Sequence, residues 1–217
     1  AFSDAGVKDL RKAVASHLRK WQLQDCLDSS AESQFFHGTE GPVWILRVPE
    51  KKKSGHSAPE SSLEKLNFAK FRDLAGAIVP QLSVYKPDKL ILDCYGLTRE
   101  EEEAILIGLE MASYSYQENR PQAPKARKKM PALLYKQFSL TTEEIERAAE
   151  LALAVNIARH YTNIPGGELN PRTYAESVRA LFAKSSTTSV EIWEGERLVE
   201  ERMNLLLAVG GGAAEGP

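Results

Sequence analysis

Few residues in this chain combine the type and the spacing that chemistry at a site requires. The histidines His17, His37, His56 and His160 stand far apart, and neither HExxH nor CxxC occurs. They offer no metal-ligand spacing. Cys26 and Cys94 are isolated thiols; such cysteines fit a reducing compartment and read as core filler. The run Glu100 to Glu103 supplies carboxylates that could serve as acid and base. It also begins two residues after Thr98, in the helical turn where the backbone dipole favours negative charge. Dipole-stabilised surface charge is the reading adopted.

Two basic runs, Lys51 to Lys53 and Lys125 to Lys129, could touch nucleic-acid phosphates. No aromatic side chains are interleaved with them, so solvated loops are expected. Gly210, Gly211 and Gly212 follow the apolar stretch Leu205 to Val209, which suggests a phosphate-cradling turn. A GxGxxG fingerprint would need glycine at position 215, which is Glu215. A tight turn that brings backbone close to other segments is the simpler expectation. Asn163-Ile164-Pro165-Gly166-Gly167 is the most specific local signal. A helix cannot run through Pro165, the glycines open conformations closed to other residues, and Asn163 can bond exposed backbone at a helix end. It reads as a structural elbow. No catalytic, cofactor-binding or metal-ligating residue is assigned in residues 1–217.

The elements around these residues follow from periodicity and caps. Val7, Leu10, Val14, Leu18 and Trp21 recur at helical spacing, which predicts an amphipathic helix over 4–21. A polar stretch follows, then a strand over Val43 to Val48. Residues 50–60 read as a solvated loop. Ser61 and Glu64 form a capping-box pattern for a helix to about Val79, ended by Pro80. Lys89 to Asp93 is a short buried strand. Thr98 and Glu101 cap a helix to about Tyr116, residues 117–130 are a Pro-rich basic loop, and Leu133 to Phe138 is an edge strand. Thr141 and Glu144 cap a long helix through His160, suited to connect domains. Asn170 is a good N-cap with Pro171 in the first helical position, for a helix to about Lys184. Ser189 to Trp193 reads as a strand, Glu196 to Arg202 as a short helix and Leu205 to Val209 as a buried strand. The alternation predicts an α/β protein with a mostly parallel sheet flanked by helices.

Composition bounds the function classes. The 217 residues are 42% hydrophobic and 27% charged, ordinary values for a globular chain with ample material for a core. A net charge of −2 gives no global attraction to nucleic acid or anionic membrane. No apolar run approaches the ~20 residues of a membrane span, so no membrane association is expected.

The segment ARHYTNIPGGELNPRTYAE, from Ala158 to Glu176, resembles the ARDLxNxPxNxxxPxxxAE segment of leucyl aminopeptidases, the cytosol aminopeptidase family. Ala158, Arg159, Asn163, Pro165, Pro171, Ala175 and Glu176 carry the likeness. Met203 and Leu207 to Gly212 resemble that family's MGxxLAVGxGS, and Glu215 and Pro217 also fall at matching positions. His160, Gly167, Asn204 and Ala213 stand where the family has Asp, Asn, Gly and Ser, which points to a divergent branch. The likeness is specific over about 145–217. Before that it rests on length, α/β order and the stretch Gly108 to Gln117.

The resemblance implies an N-terminal α/β domain over 1–138, a connector helix over 139–162, and over 163–217 the first α/β elements of a catalytic domain. It implies a cytoplasmic metallo-exopeptidase that releases N-terminal amino acids from peptides. It further implies two divalent metals, zinc or manganese, and a homo-oligomer, hexameric in the family. The family's metal ligands lie in VGKGxxxDxGG-like and NTDAEGR-like segments, neither of which occurs in residues 1–217. The chain by itself is therefore expected to be inactive, with no metal bound. A different expectation is an assembly or nucleic-acid/protein-binding module built on residues 1–138, using Lys125 to Lys129. A third is a nucleotide-binding α/β enzyme with its ligand at Gly210 to Gly212.

Overall fold

A computed structural model describes residues 11–12, 14–46, 60–116 and 131–212; of residues 60–66 and 83 it describes the backbone. The expected loop 50–60 (apart from the backbone at 60), the basic loop 117–130, His56, Lys51 to Lys53, Lys125 to Lys129, Ala213, Glu215 and Pro217 lie outside the described residues. So do the side chains of the Ser61–Glu64 capping pattern. The chain divides into two compact units, Ala1–Ala158 and Arg159–Pro217. No helix among the described residues is long and apolar enough to cross a membrane.

Near the start of the described residues lies a helical turn, where Leu18 N–H donates to Val14 O at 2.9 Å. The helix expected over 4–21 breaks at Arg19, whose backbone is extended, and α1 (Lys20–Asp28) starts afresh. Gln22, 4% exposed, fastens this polar stretch as a helix. Its side chain accepts from Arg19 N–H and donates to His37 O, both at 3.0 Å. That second bond ties α1 to β1 (Ser33–His37), a strand absent from the sequence expectation. β1 pairs antiparallel with β2 (Pro42–Leu46), Phe35 opposite Trp44. The hairpin turn needs Gly38, because a Cβ there would meet His17 O at 2.5 Å. Val14, Leu18, Cys26 and Ile45 form the small core between these elements.

The larger core is built on α4 (Arg99–Ser113). Ala104 to Leu109 are all buried, a continuous apolar run that only a helix covered on several sides can satisfy. α2 (Glu60–Gly76) packs on it with Phe71 and Ala75, and α5 (Thr142–Asn163) with Ala148 and Ala152. Gly108 permits the approach of α2, since a Cβ would lie 2.1 Å from Arg72 O. Asn156 on α5 donates to Glu110 O at 3.1 Å. Pro80 does not simply end a helix: it occupies the first turn of α3 (Val79–Tyr85), where a missing N–H costs nothing. β3 (Lys89–Asp93) and β4 (Ala132–Lys136) pair in parallel, Ile91 beside Leu134. Thus the described strands form one antiparallel and one parallel pair, with helices against them, and the fold is α/β.

The second unit holds the end of α5, then α6 (Pro171–Phe182), α7 (Glu196–Glu200) and α8 (Asn204–Gly210). Two strand expectations are corrected here. Ser189 to Trp193 has no regular structure, and Leu205 to Val209 is helical with Leu205 84% exposed. A strand needs a neighbour for its backbone groups, and no strand occurs among the described residues of this unit. A helix satisfies the same groups locally, and leucine and alanine favour it.

Candidate functional site

The elbow expected at Asn163 to Pro171 forms. α5 stops at Asn163, and Ile164 N–H still reaches His160 O at 3.2 Å. Pro165 O then accepts from both Glu168 and Leu169 N–H at 2.9 Å, closing a turn. Asn170 Oδ1 accepts from Thr173 N–H at 2.9 Å, while Thr173 Oγ1 accepts from Asn170 N–H at the same distance. Tyr161 and Tyr174 meet edge to face, ring centres 5.2 Å apart, and brace α5 against α6. Gly166 and Gly167 have open space where a Cβ would stand. These bonds shape the backbone of the elbow.

At the other glycine-rich signal, Gly210 ends α8, and Gly211 N–H donates to Leu207 O at 2.9 Å. No strand enters this turn, so the strand-to-glycine geometry of a dinucleotide site is absent here. Downstream of the elbow, Arg197 lies over the Trp193 ring at 5.1 Å and pairs with Glu201 at 2.5 Å.

A cavity lined by polar and ionisable groups lies in the first unit. It has a volume of about 350 Å³ and sits beyond the carboxyl ends of the parallel strands β3 and β4. Residues 94–97 follow β3, Gln137 and Ser139 follow β4, and Glu102 and Lys12 complete the lining. Cys94 N–H donates to Lys136 O at 3.2 Å and holds the two strand exits together. Gln137 takes a left-handed φ of 49° to turn the chain into the cavity wall.

Glu102 corrects the expectation of surface charge: it is 2% exposed. Its Oε2 accepts from Ser139 N–H at 2.9 Å and Ser139 Oγ at 2.7 Å. Charge-assisted bonds of this kind offset the cost of burying a carboxylate. The helical spacing of 102 to Ile105, Leu106 and Leu109 was the available signal. Cys94 is buried as expected of core filler, and burial pushes its thiol up to about 12, with the Glu102 and Asp93 carboxylates adding to the shift. It is therefore a neutral thiol at physiological pH, not a nucleophile.

The described histidines have local partners. His17 lies 3.6 Å from Glu40, His37 packs edge-on against Phe35 with ring centres 5.0 Å apart, and His160 neighbours Tyr161. Among the described residues no group of three or more His, Cys, Asp or Glu could hold a metal ion. The residues described do not fit a dinuclear metal centre.

Comparison with known proteins places these features in a family. Residues 156–217 match the cytosol aminopeptidase family, catalytic domain. The "Probable cytosol aminopeptidase" of Leifsonia xyli subsp. xyli is 33% identical over 150 residues, covering 68% of this chain and 29% of that protein. A tomato leucine aminopeptidase mutant superposes with a TM-score of 0.62 at 21% identity, covering 99% of this chain and 40% of that one. The bottromycin maturation enzyme BotP does so with a TM-score of 0.63 at 22% identity, covering 92% and 41%. A structure of BotP in complex with Mn matches at a TM-score of 0.57. The structural likenesses establish the fold. This chain spans 29% of the Leifsonia protein and about two fifths of the structures it resembles. With the end of α5, the elbow and α6 inside the matched segment, the chain belongs to the cytosol (leucyl) aminopeptidase family.

Proposed function

We propose that these residues are the N-terminal portion of a leucyl-aminopeptidase-like metallo-exopeptidase that releases N-terminal amino acids from peptides. The observation that carries this is the family match over residues 156–217, which begins within α5 and includes the elbow. Residues 1–138 serve as the N-terminal α/β domain, 139–162 as the connector helix, and 163–217 as the first part of the catalytic domain. The two divalent metals, zinc or manganese, are held by segments that residues 1–217 do not contain. The manganese bound to the related BotP supports a metal of this class in the complete protein. The whole protein acts in the cytoplasm on peptides, as a homo-oligomer. Two-metal hydrolysis of this kind polarises the scissile carbonyl and supplies a nucleophilic water at neutral pH.

The test compares the 217-residue chain with the complete protein on leucine p-nitroanilide, each with added zinc or manganese. The complete protein should release p-nitroaniline in a chelator-sensitive manner, and the 217-residue chain should not. Robust turnover by the 217-residue chain at one chain per active site overturns the division of labour. Inactivity of the complete protein on a panel of peptide substrates overturns the aminopeptidase reading itself.

A further inference from the structure

We propose that the cavity at the β3 and β4 strand ends binds a free α-amino acid as a zwitterion, its ammonium on Glu102 and its carboxylate on Lys12. Three observations carry this. Loops leaving the carboxyl ends of parallel strands form the place where α/β sheets take small ligands, and both exits line this cavity. The cavity also brings together opposite charges, Lys12 and the buried Glu102, which suits a small molecule carrying one of each. Finally, Ser139 donates both of its bonds to Glu102 Oε2, so the carboxylate is held in place and its other oxygen remains to accept from a ligand.

Neutral groups complete the recognition. Gln137 adds a neutral amide beside the two charges. Leu97 and the neutral Cys94 thiol give an apolar wall for an aliphatic side chain. A ligand cation alone would leave Lys12 opposed, and an anion alone would face Glu102. The binding itself does not depend on the aminopeptidase reading. Its meaning as product sensing rests on that reading, because free amino acids are what an exopeptidase releases.

The experiment uses the 217-residue chain and L-leucine as the probe, followed by amide chemical shifts and by calorimetry up to about 10 mM, a range that captures Kd values near 1 mM. L-leucine should shift the amides of residues 94–97, Gln137 and Ser139. N-acetyl-L-leucine lacks the ammonium and L-leucinamide lacks the carboxylate; each should bind about tenfold more weakly, the worth of one charge-assisted contact. Lys12→Ala should weaken L-leucine about tenfold yet leave L-leucinamide unchanged, since that probe has no carboxylate to lose. Glu102→Gln should weaken L-leucine and spare N-acetyl-L-leucine; if that variant unfolds, the Lys12→Ala pair of titrations decides alone. No shifts at these residues with L-leucine, or equal weakening of leucine and leucinamide by Lys12→Ala, overturns the proposal. Leucine binding in a complete protein that hydrolyses no peptide would sink the aminopeptidase reading and leave this site standing.

Discussion

Residues 14–158 and residues 159–212 are built from similar helices, but they differ in how their apolar side chains are covered. In the first unit α4 is enclosed: Leu109, only 1% exposed, packs with Phe71 and Ala75 of α2, while Leu106 and Ile107 pack with Ala148 and Ala152 of α5. In the second, Leu198 is the buried hydrophobic residue among those described, while Tyr174, Leu181 and Phe182 on α6 and Leu205, Leu206 and Val209 on α8 are exposed. The α6 positions 174, 178, 181 and 182 form an apolar stripe at helical spacing, the pattern of a core-facing helix. Trp193 Nε1 is buried without an acceptor among the described residues. The comparison teaches that an amphipathic pattern states which face is meant for burial, whereas stability depends on whether a complementary surface covers it. The glycines repeat the contrast: Gly108 sits against backbone, and Gly166 and Gly167 face open space.

Matched substitutions should expose the difference. Leu109→Ala leaves a cavity in a closed core and should cost about 3–4 kcal/mol in denaturant unfolding of the first unit. Leu205→Ala, at a site 84% exposed, should stay within about 0.5 kcal/mol. Equal losses at the two positions would break the comparison. Gly108→Ala should cost about 2–3 kcal/mol, because the new Cβ cannot avoid Arg72 O without moving α2. Gly166→Ala should be near neutral, within about 0.5 kcal/mol by the same measurement.

Smaller effects sharpen the picture at the caps. Asn170→Ala removes the bond to Thr173 N–H and should cost about 1 kcal/mol, read as faster amide exchange in the first turn of α6 with α4 unaffected. Glu144 is held below the usual carboxylate range, first by the Thr141 backbone N–H and then by the Arg99 guanidinium. A lowered folded value means its contribution is present above the ordinary Glu range and is lost as pH falls through that lowered value. The stability difference between the wild-type chain and Glu144→Gln should therefore vanish on acidification; a pH-independent difference would reject the cap as its source. Cys94 should resist iodoacetamide at about pH 8 in the folded chain and react in urea, since its folded thiol ionises only near 12. Rapid labelling of folded Cys94 would show that its loop opens.

Several features were legible from local sequence. Thr98 with Glu101, Thr141 with Glu144 and Asn170 with Pro171 each mark a helix start that the structure contains. Val43 to Leu46 and Lys89 to Asp93 were readable as strands through dense branched apolar residues. The residues of the strand-end cavity were less legible. Cys94 read as filler and Glu102 as surface charge, and Gln137 and Ser139 carried no motif. Their proximity depends on two strands 43 residues apart in sequence aligning at Lys89 and Ala132.

What the sequence alone determined was local: where helices begin, where Pro165 forbids one to continue, and which faces are apolar. Each depends on groups within a few residues, whose geometry the backbone supplies without outside help. What the tertiary structure decided was every choice that needs a distant partner. Ser33 to His37 became a strand because β2 lay beside it, and Leu205 to Val209 became a helix in a unit where no described strand offered it a ladder. Glu102 became an interior carboxylate because Ser139 met it with two donors. Backbone and buried charge must find their hydrogen bonds somewhere, and only the folded chain determines which distant group is there to make them.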